Sequence, residues 1–157
     1  MNPSGLYERK IVELRLVLPP AAKPAGSYQP VVVAGNLAFV SGQLCRKVDG
    51  ALITGKIGKD LDKKAGMEAA HEAALNLIST LKEHVGLHRV KQIVKLTGFV
   101  QASENFNEIS AVVNGASDLL GVVFGAQGIH ARTSVGVASL PQNAAVEIDA
   151  VVEINPA

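Results

Sequence analysis

The chain has 157 residues, a formal net charge of +1, 48% apolar residues and 18% charged ones. That length fits one domain, and a near-neutral charge without a basic run argues against nucleic acid as the main partner. A lone cysteine, Cys45, excludes an internal disulfide and fits a reducing compartment.

Aromatic residues are scarce, so the core has to be built from Val, Ile, Leu and Ala. So apolar and short a chain suggests that part of its surface is hidden in an oligomer. The start, MNPSGLYERK, lacks the apolar core of a signal peptide. The longest apolar run is read as PVVVAGNLAFV, which Gly35-Asn36 breaks and which is too short to cross a bilayer. A soluble, cytoplasmic protein without a membrane partner is the expectation.

Residues 5–17 suggest a short helix with Tyr7, Ile11 and Leu14 on one face, stopped by Pro19-Pro20. A connector rich in Pro, Ala and Gly follows, and residues 1–25 together read as an extension to one domain over 1–157. QPVVVAGNLAFVSGQL reads as a hairpin turning at Gly35-Asn36. RKVDGALITGKIG reads as a short ribbon or loop turning at Asp49-Gly50.

From about Leu61 to Val85 the apolar period becomes helical. Met67, Ala70, Ala74, Leu77, Ile78, Leu81 and Val85 form the stripe, Ser79 falls on the polar side, and Gly86 is the stop. RVKQIVKLTGFVQA then reads as a strand with Val94, Leu96, Gly98 and Val100 on one face. Ser103 is placed to cap a second helix with the stripe Phe106, Ile109, Val113, Ala116, Leu120 and Val123, ended by Gly125. ARTSVGVAS and AAVEIDAVVEI are the last strands, read as a strand, a turn near Pro141-Gln142 and a second strand, which sets Arg132 opposite roughly residue 151. The order ββαβαββ predicts a two-layer α+β domain with both long helices on one face of one sheet. The other faces of the last two strands are small or mixed rather than polar, which points to a homo-oligomer.

Arg132, Glu147 and Asp149 are charges that a plain hairpin does not need. Arg132 reads either as half of a structural ion pair or as an anion clamp, since a guanidinium offers planar paired donors to a carboxylate. Glu147 reads either as a half-exposed strand residue or as a group that orients a water molecule. Tyr28 either packs or covers a pocket, Gly42 either ends a strand or admits a ligand, and Cys45 reads as an inert thiol. The histidines, 71, 84, 88 and 130, show no metal-ligand spacing, so no metal site is expected. There is no phosphate-binding glycine loop and no G-x-S-x-G.

GSYQPVVVAGNLAFVSGQL, VKLTGFV and HARTSVGVASLPQNAAVEIDAVVEI together resemble the YjgF/YER057c/UK114 (Rid) family, over about Tyr28 to Ile154. The resemblance implies a chorismate-mutase-like fold with a mixed sheet. It also implies a homotrimer whose sheets enclose a central β-barrel, with ligand clefts between subunits. The implied activity is hydrolysis of reactive 2-imino acids of the 2-aminoacrylate type to 2-keto acids and ammonia, with no cofactor. Carried over to this chain, Arg132 grips the substrate carboxylate, Glu147 orients the attacking water, and Tyr28 and Gly42 line the cleft. Thr133 offers its backbone N–H, and Asn114 is a further candidate contact. The chain departs from the pattern in Cys45 after Leu44, in the extension, and in the second helix. There Ser110 and Val113 stand at the family's Asn and aromatic positions, and Asn114 lies elsewhere. Two further readings remain: a non-catalytic trimer that binds a small carboxylate, and an endoribonuclease or translation inhibitor, against which the charge weighs.

Overall fold

Residues 5–157 are described by a computed structural model. Helix α1 spans Leu6–Glu13 and buries Tyr7 and Ile11, one turn apart. The Tyr7 ring meets the edge of Phe124 at 4.7 Å between centroids, which fastens the extension to the body of the fold. The helix stops well before Pro19-Pro20, because the chain turns at Arg15 with φ +55°. The connector beyond it is tied to the body where the Ser79 hydroxyl donates to Pro19 O at 2.6 Å. Ser79 is therefore buried, not on the polar side of its helix as its wheel position suggests.

Strands β1 (Val31–Ala34) and β2 (Leu37–Leu44) form the expected hairpin, with Gly35 at φ +61° in the turn. The ribbon after β2 turns at Asp49-Gly50, where the Asp49 carboxylate accepts from Ala51 N–H. Helix α2 spans Lys63–His84, capped by Asp62, whose carboxylate accepts from Ala65 N–H at 2.8 Å. Strand β3 is Val90–Gln101, and helix α3 is Ile109–Phe124. Ser103 does not cap α3: its carbonyl accepts from Phe106 N–H in a preceding turn, so Phe106 lies outside the helix. Strands β4 (Ala131–Val137) and β5 (Val146–Ile154) complete the set.

The sheet order is β1-β2-β5-β3-β4, antiparallel except for the parallel pair β3–β4. The mixed sheet is as expected, but β4 and β5 are not a hairpin. They lie on either side of β3, so Arg132 stands beside Leu96, while Val151 stands between Phe39 and Lys95. The connection between them crosses the end of β3 and is held there by the buried Gln101 amide. Its Oε1 accepts from Leu140 N–H at 2.8 Å, and its Nε2 donates to Asn143 Oδ1 at 2.7 Å. A buried amide with its groups satisfied fixes a chain path that strand pattern alone does not.

Both long helices pack on one face, over Leu96, Gly98 and Val100 of β3 and the alternate residues Val146 to Ile154 of β5. A register irregularity between Ile93 and Lys95 shifts β3, so Ile93 is buried and Val94 is exposed rather than in line with Leu96. The helices approach closely where a Cβ on Gly115 would overlap the Met67 carbonyl. Residues 109–128 are long and apolar enough to cross a membrane by composition, a longer apolar stretch than the β1–β2 run. In this fold that helix buries Val112, Val113, Ala116, Leu119, Leu120 and Val123.

Among the described residues no helix packs on the other face. Its register rows run Val32–Phe39–Val151–Lys95, then Asp149–Thr97–Thr133, then Glu147–Phe99–Val135. Val32, Phe39 and Val135 are exposed there, so large apolar side chains stand open among Lys95, Thr97, Thr133, Glu147 and Asp149 on the same face.

Candidate active site

The apolar helix α3 carries a polar stripe at Ser110, Asn114 and Ser117, spaced four and three residues apart and hence on one side. The edge strand β4 runs beneath it and points Arg132 up at that stripe. Arg132 Nη1 donates to Asn114 Oδ1 at 2.7 Å and to Ser117 Oγ at 3.1 Å, and Nη2 donates to Ser110 O at 3.3 Å. All these acceptors are neutral. Among the described residues Arg132 forms no salt bridge, so the ion-pair reading finds no carboxylate partner. Among the described residues Nε–H has no protein acceptor and Nη2 has one, so the edge of the guanidinium formed by Nε and Nη2 keeps donor capacity.

His130 extends this group. Its Nδ1 donates to Gly128 O at 2.7 Å and its Nε2 faces Ser117 Oγ at 2.9 Å. Burial lowers its pKa; the Gly128 carbonyl opposes this, and the Arg132 charge lowers it further. Beside them the Ser134 hydroxyl is buried with no hydrogen-bond partner.

A second group forms across the sheet. The register of β2 against β5 slips between Val40 and Gln43, a bulge of one extra residue that contains Gly42. Glu147 lies directly against that glycine: a Cβ on Gly42 would overlap its Oε1. Burial raises the Glu147 pKa, and Asp149 further along the same face adds to the rise. Tyr28 is held near the bulge because Ser41 N–H donates to Pro30 O and its hydroxyl donates to Gln29 O. The Tyr28 oxygen accepts from Ala25 N–H at 3.2 Å. Tyr28, Gly42, Gln43 and the connector residues Pro19, Pro20 and Lys23 line a cleft of about 460 Å³.

The predicted site residues therefore assemble into two groups, Arg132 with Asn114 and Glu147 with Gly42, while Tyr28 meets Gly42 in the lining of the cleft. Within one chain these groups occupy opposite faces of the sheet, since Arg132 points at α3 and Glu147 lies in the row on the helix-free face. The Thr133 side chain is on that second face, accepting from Lys95 Nζ at 2.6 Å. Cys45 is buried, its thiol facing Ile53 O and its pKa pushed up by burial. No group of three or more His, Cys, Asp or Glu side chains converges among the described residues. Reading residues singly missed Ser117 and the use of His130; the stripe spacing on α3 is the signal that finds Ser117.

Comparison with known proteins gives the family. The family model described as endoribonuclease L-PSP matches residues 19–154. Protein TCP17 of Trypanosoma cruzi is 46% identical over 154 residues, 97% of this chain and 96% of that protein. The 2-iminobutanoate/2-iminopropanoate deaminase of Dermatophagoides farinae is 31% identical over 137 residues, 87% of this chain and 92% of that protein. Among solved structures, the protein Atu1372 of Agrobacterium tumefaciens, described as of unknown function, superposes with a TM-score of 0.88 at 41% identity, covering 98% of this chain and 96% of that one. The matched span and these similarities show that the chain belongs to the endoribonuclease L-PSP family, the YjgF/YER057c/UK114 or Rid family.

Proposed function

We infer that this protein hydrolyses 2-imino acids to 2-keto acids and ammonia, in clefts built between subunits of a homotrimer. The observation that carries the reading is Arg132: a charged guanidinium held only by neutral acceptors, with donor capacity kept on one edge. A substrate carboxylate complements that edge and neutralises the charge. The similarity to a relative named as an imine deaminase supports the choice of substrate.

An imine carbon is already electrophilic, so positioning and proton transfer suffice. Water adds to the carbon of C=N and its oxygen forms the new bond. Glu147 accepts a proton from that water and returns it to the nitrogen. The hydroxyl of the resulting carbinolamine then gives up its proton, which Glu147 relays to the same nitrogen, and the C–N bond breaks with its electron pair leaving on ammonia as the C=O bond forms. A carboxyl whose pKa is raised toward neutrality suits this exchange. Arg132 and Glu147 stand on opposite faces of one sheet, so the reading assigns them to one cleft from two different subunits. The helix-free face bearing Val32, Phe39 and Val135 is the surface that the trimer covers.

The test is ammonia and keto-acid release from a panel of imino acids generated in place by an amino-acid oxidase, with wild type beside Arg132→Ala. Release that depends on Arg132 supports the deaminase. Wild type that never exceeds the spontaneous rate leaves a trimer that binds a carboxylate without turning it over.

A further inference from the structure

We propose that Ser117 and His130 are positioning residues that aim Arg132, acting as one directed hydrogen-bond chain. The proposal rests on the reading of Arg132 as a carboxylate clamp. The direction of the chain follows from its fixed end. A carbonyl only accepts, so Gly128 O requires a proton on His130 Nδ1. Burial and the nearby Arg132 charge favour the neutral imidazole, which leaves Nε2 as an acceptor. The Ser117 hydroxyl at 2.9 Å must then donate its proton to Nε2. Its oxygen is thereby turned, lone pair outward, to Arg132 Nη1 at 3.1 Å.

Each link has one permitted direction, so the guanidinium meets an acceptor rather than a freely rotating hydroxyl. Asn114 Oδ1 takes the other Nη1 hydrogen and Ser110 O one of Nη2. The edge left over, Nε and Nη2, is the edge offered to the ligand. His130 is anchored independently of the ligand, because Gly128 packs directly on the Leu120 carbonyl, where no Cβ would fit. The device thus transmits the rigidity of the α3–β4 crossover to the clamp.

The test is titration of the full-length protein with 2-oxobutanoate as a stable carboxylate probe, for wild type, Arg132→Ala, Ser117→Ala, Ser117→Thr and His130→Asn. The dissociation constant should rise about three- to tenfold in Ser117→Ala and His130→Asn at unchanged stoichiometry, the cost of one lost hydrogen bond of ordinary net strength, felt by the ligand only through the aim of Arg132. Ser117→Thr, which keeps the hydroxyl, should bind like wild type. A merely destabilised fold would lower the stoichiometry and leave the constant unchanged, and that result overturns the proposal. Wild-type affinity in Ser117→Ala and His130→Asn, with binding lost in Arg132→Ala, also overturns it while sparing the clamp. Unchanged affinity in Arg132→Ala overturns the clamp itself.

Discussion

Arg132 and Glu147 stand on opposite faces of the same sheet: Arg132 reaches up to Asn114 on α3, and Glu147 lies against Gly42 on the helix-free face. If one cleft needs both, two subunits must supply them. Two variants inactive alone, Arg132→Ala and Glu147→Gln, should then complement. Unfolded together and refolded, a random mixture should restore activity in about a quarter of clefts, as expected for independent assignment of two subunits to each interface in a closed ring. Activity of the refolded mixture that stays at the level of either variant alone would put both groups in one subunit's site.

Arg132→Ala should reduce kcat/KM for an imino acid by about a hundredfold or more, the loss expected when a charge-assisted, paired hydrogen bond is removed. Arg132→Lys should recover little of it, since an ammonium lacks the planar fork that Asn114, Ser110 and the ligand share. Steady-state kinetics on both variants, with circular dichroism as the check on folding, decides this.

Gly42→Ala should disable the site with little effect on the core. The added Cβ would occupy the place of Glu147 Oε1 and push the carboxylate aside. A thermal melt close to wild type with a large fall in kcat is the expected pair of results. Wild-type kcat would mean that the carboxylate position does not matter.

Gly115→Ala tests packing rather than chemistry. Its Cβ would meet the Met67 backbone, which cannot rotate away, so α2 and α3 must separate. Overpacking of this kind costs about 1–3 kcal/mol, readable by chemical denaturation.

The pH dependence of stability carries opposite signs for two groups. Glu147 holds its proton more tightly folded than unfolded, because burial and Asp149 raise its pKa. Its contribution to stability is complete below the ordinary carboxylate range and is lost as pH rises through the raised value. His130 holds its proton less tightly when folded, so its contribution is present above the ordinary histidine value and is lost as pH falls through the lowered one. Melting temperatures across pH should therefore lose one slope in Glu147→Gln and the other in His130→Asn.

Much of the fold is legible from local periodicity. The apolar repeat of α2, the hairpin at Gly35-Asn36 and the alternation Val146 to Ile154 each follow from a spacing of helix or strand, and all are present. Strand order is not legible this way. The chain after β4 crosses the end of β3 instead of returning as a hairpin, and the Gln101 contacts that hold it there join residues far apart in sequence. The bulge that exposes Val94 is likewise a pairing effect. In the candidate site, single residues with unusual chemistry were visible, Arg132 and Glu147 above all. Their separation onto two faces was not, because it needs the strand order. Nor was the part played by Ser117, an ordinary polar residue until the Arg132 guanidinium is placed beside it.

The measurement that tests the central claim most directly is release of ammonia and keto acid from 2-iminobutanoate and 2-iminopropanoate generated in place, with wild type beside Arg132→Ala. The account predicts that wild type accelerates release well above the spontaneous rate and that the variant, still folded, returns it to that rate. Equal acceleration by both proteins would contradict the assignment of Arg132 as the group that holds the substrate.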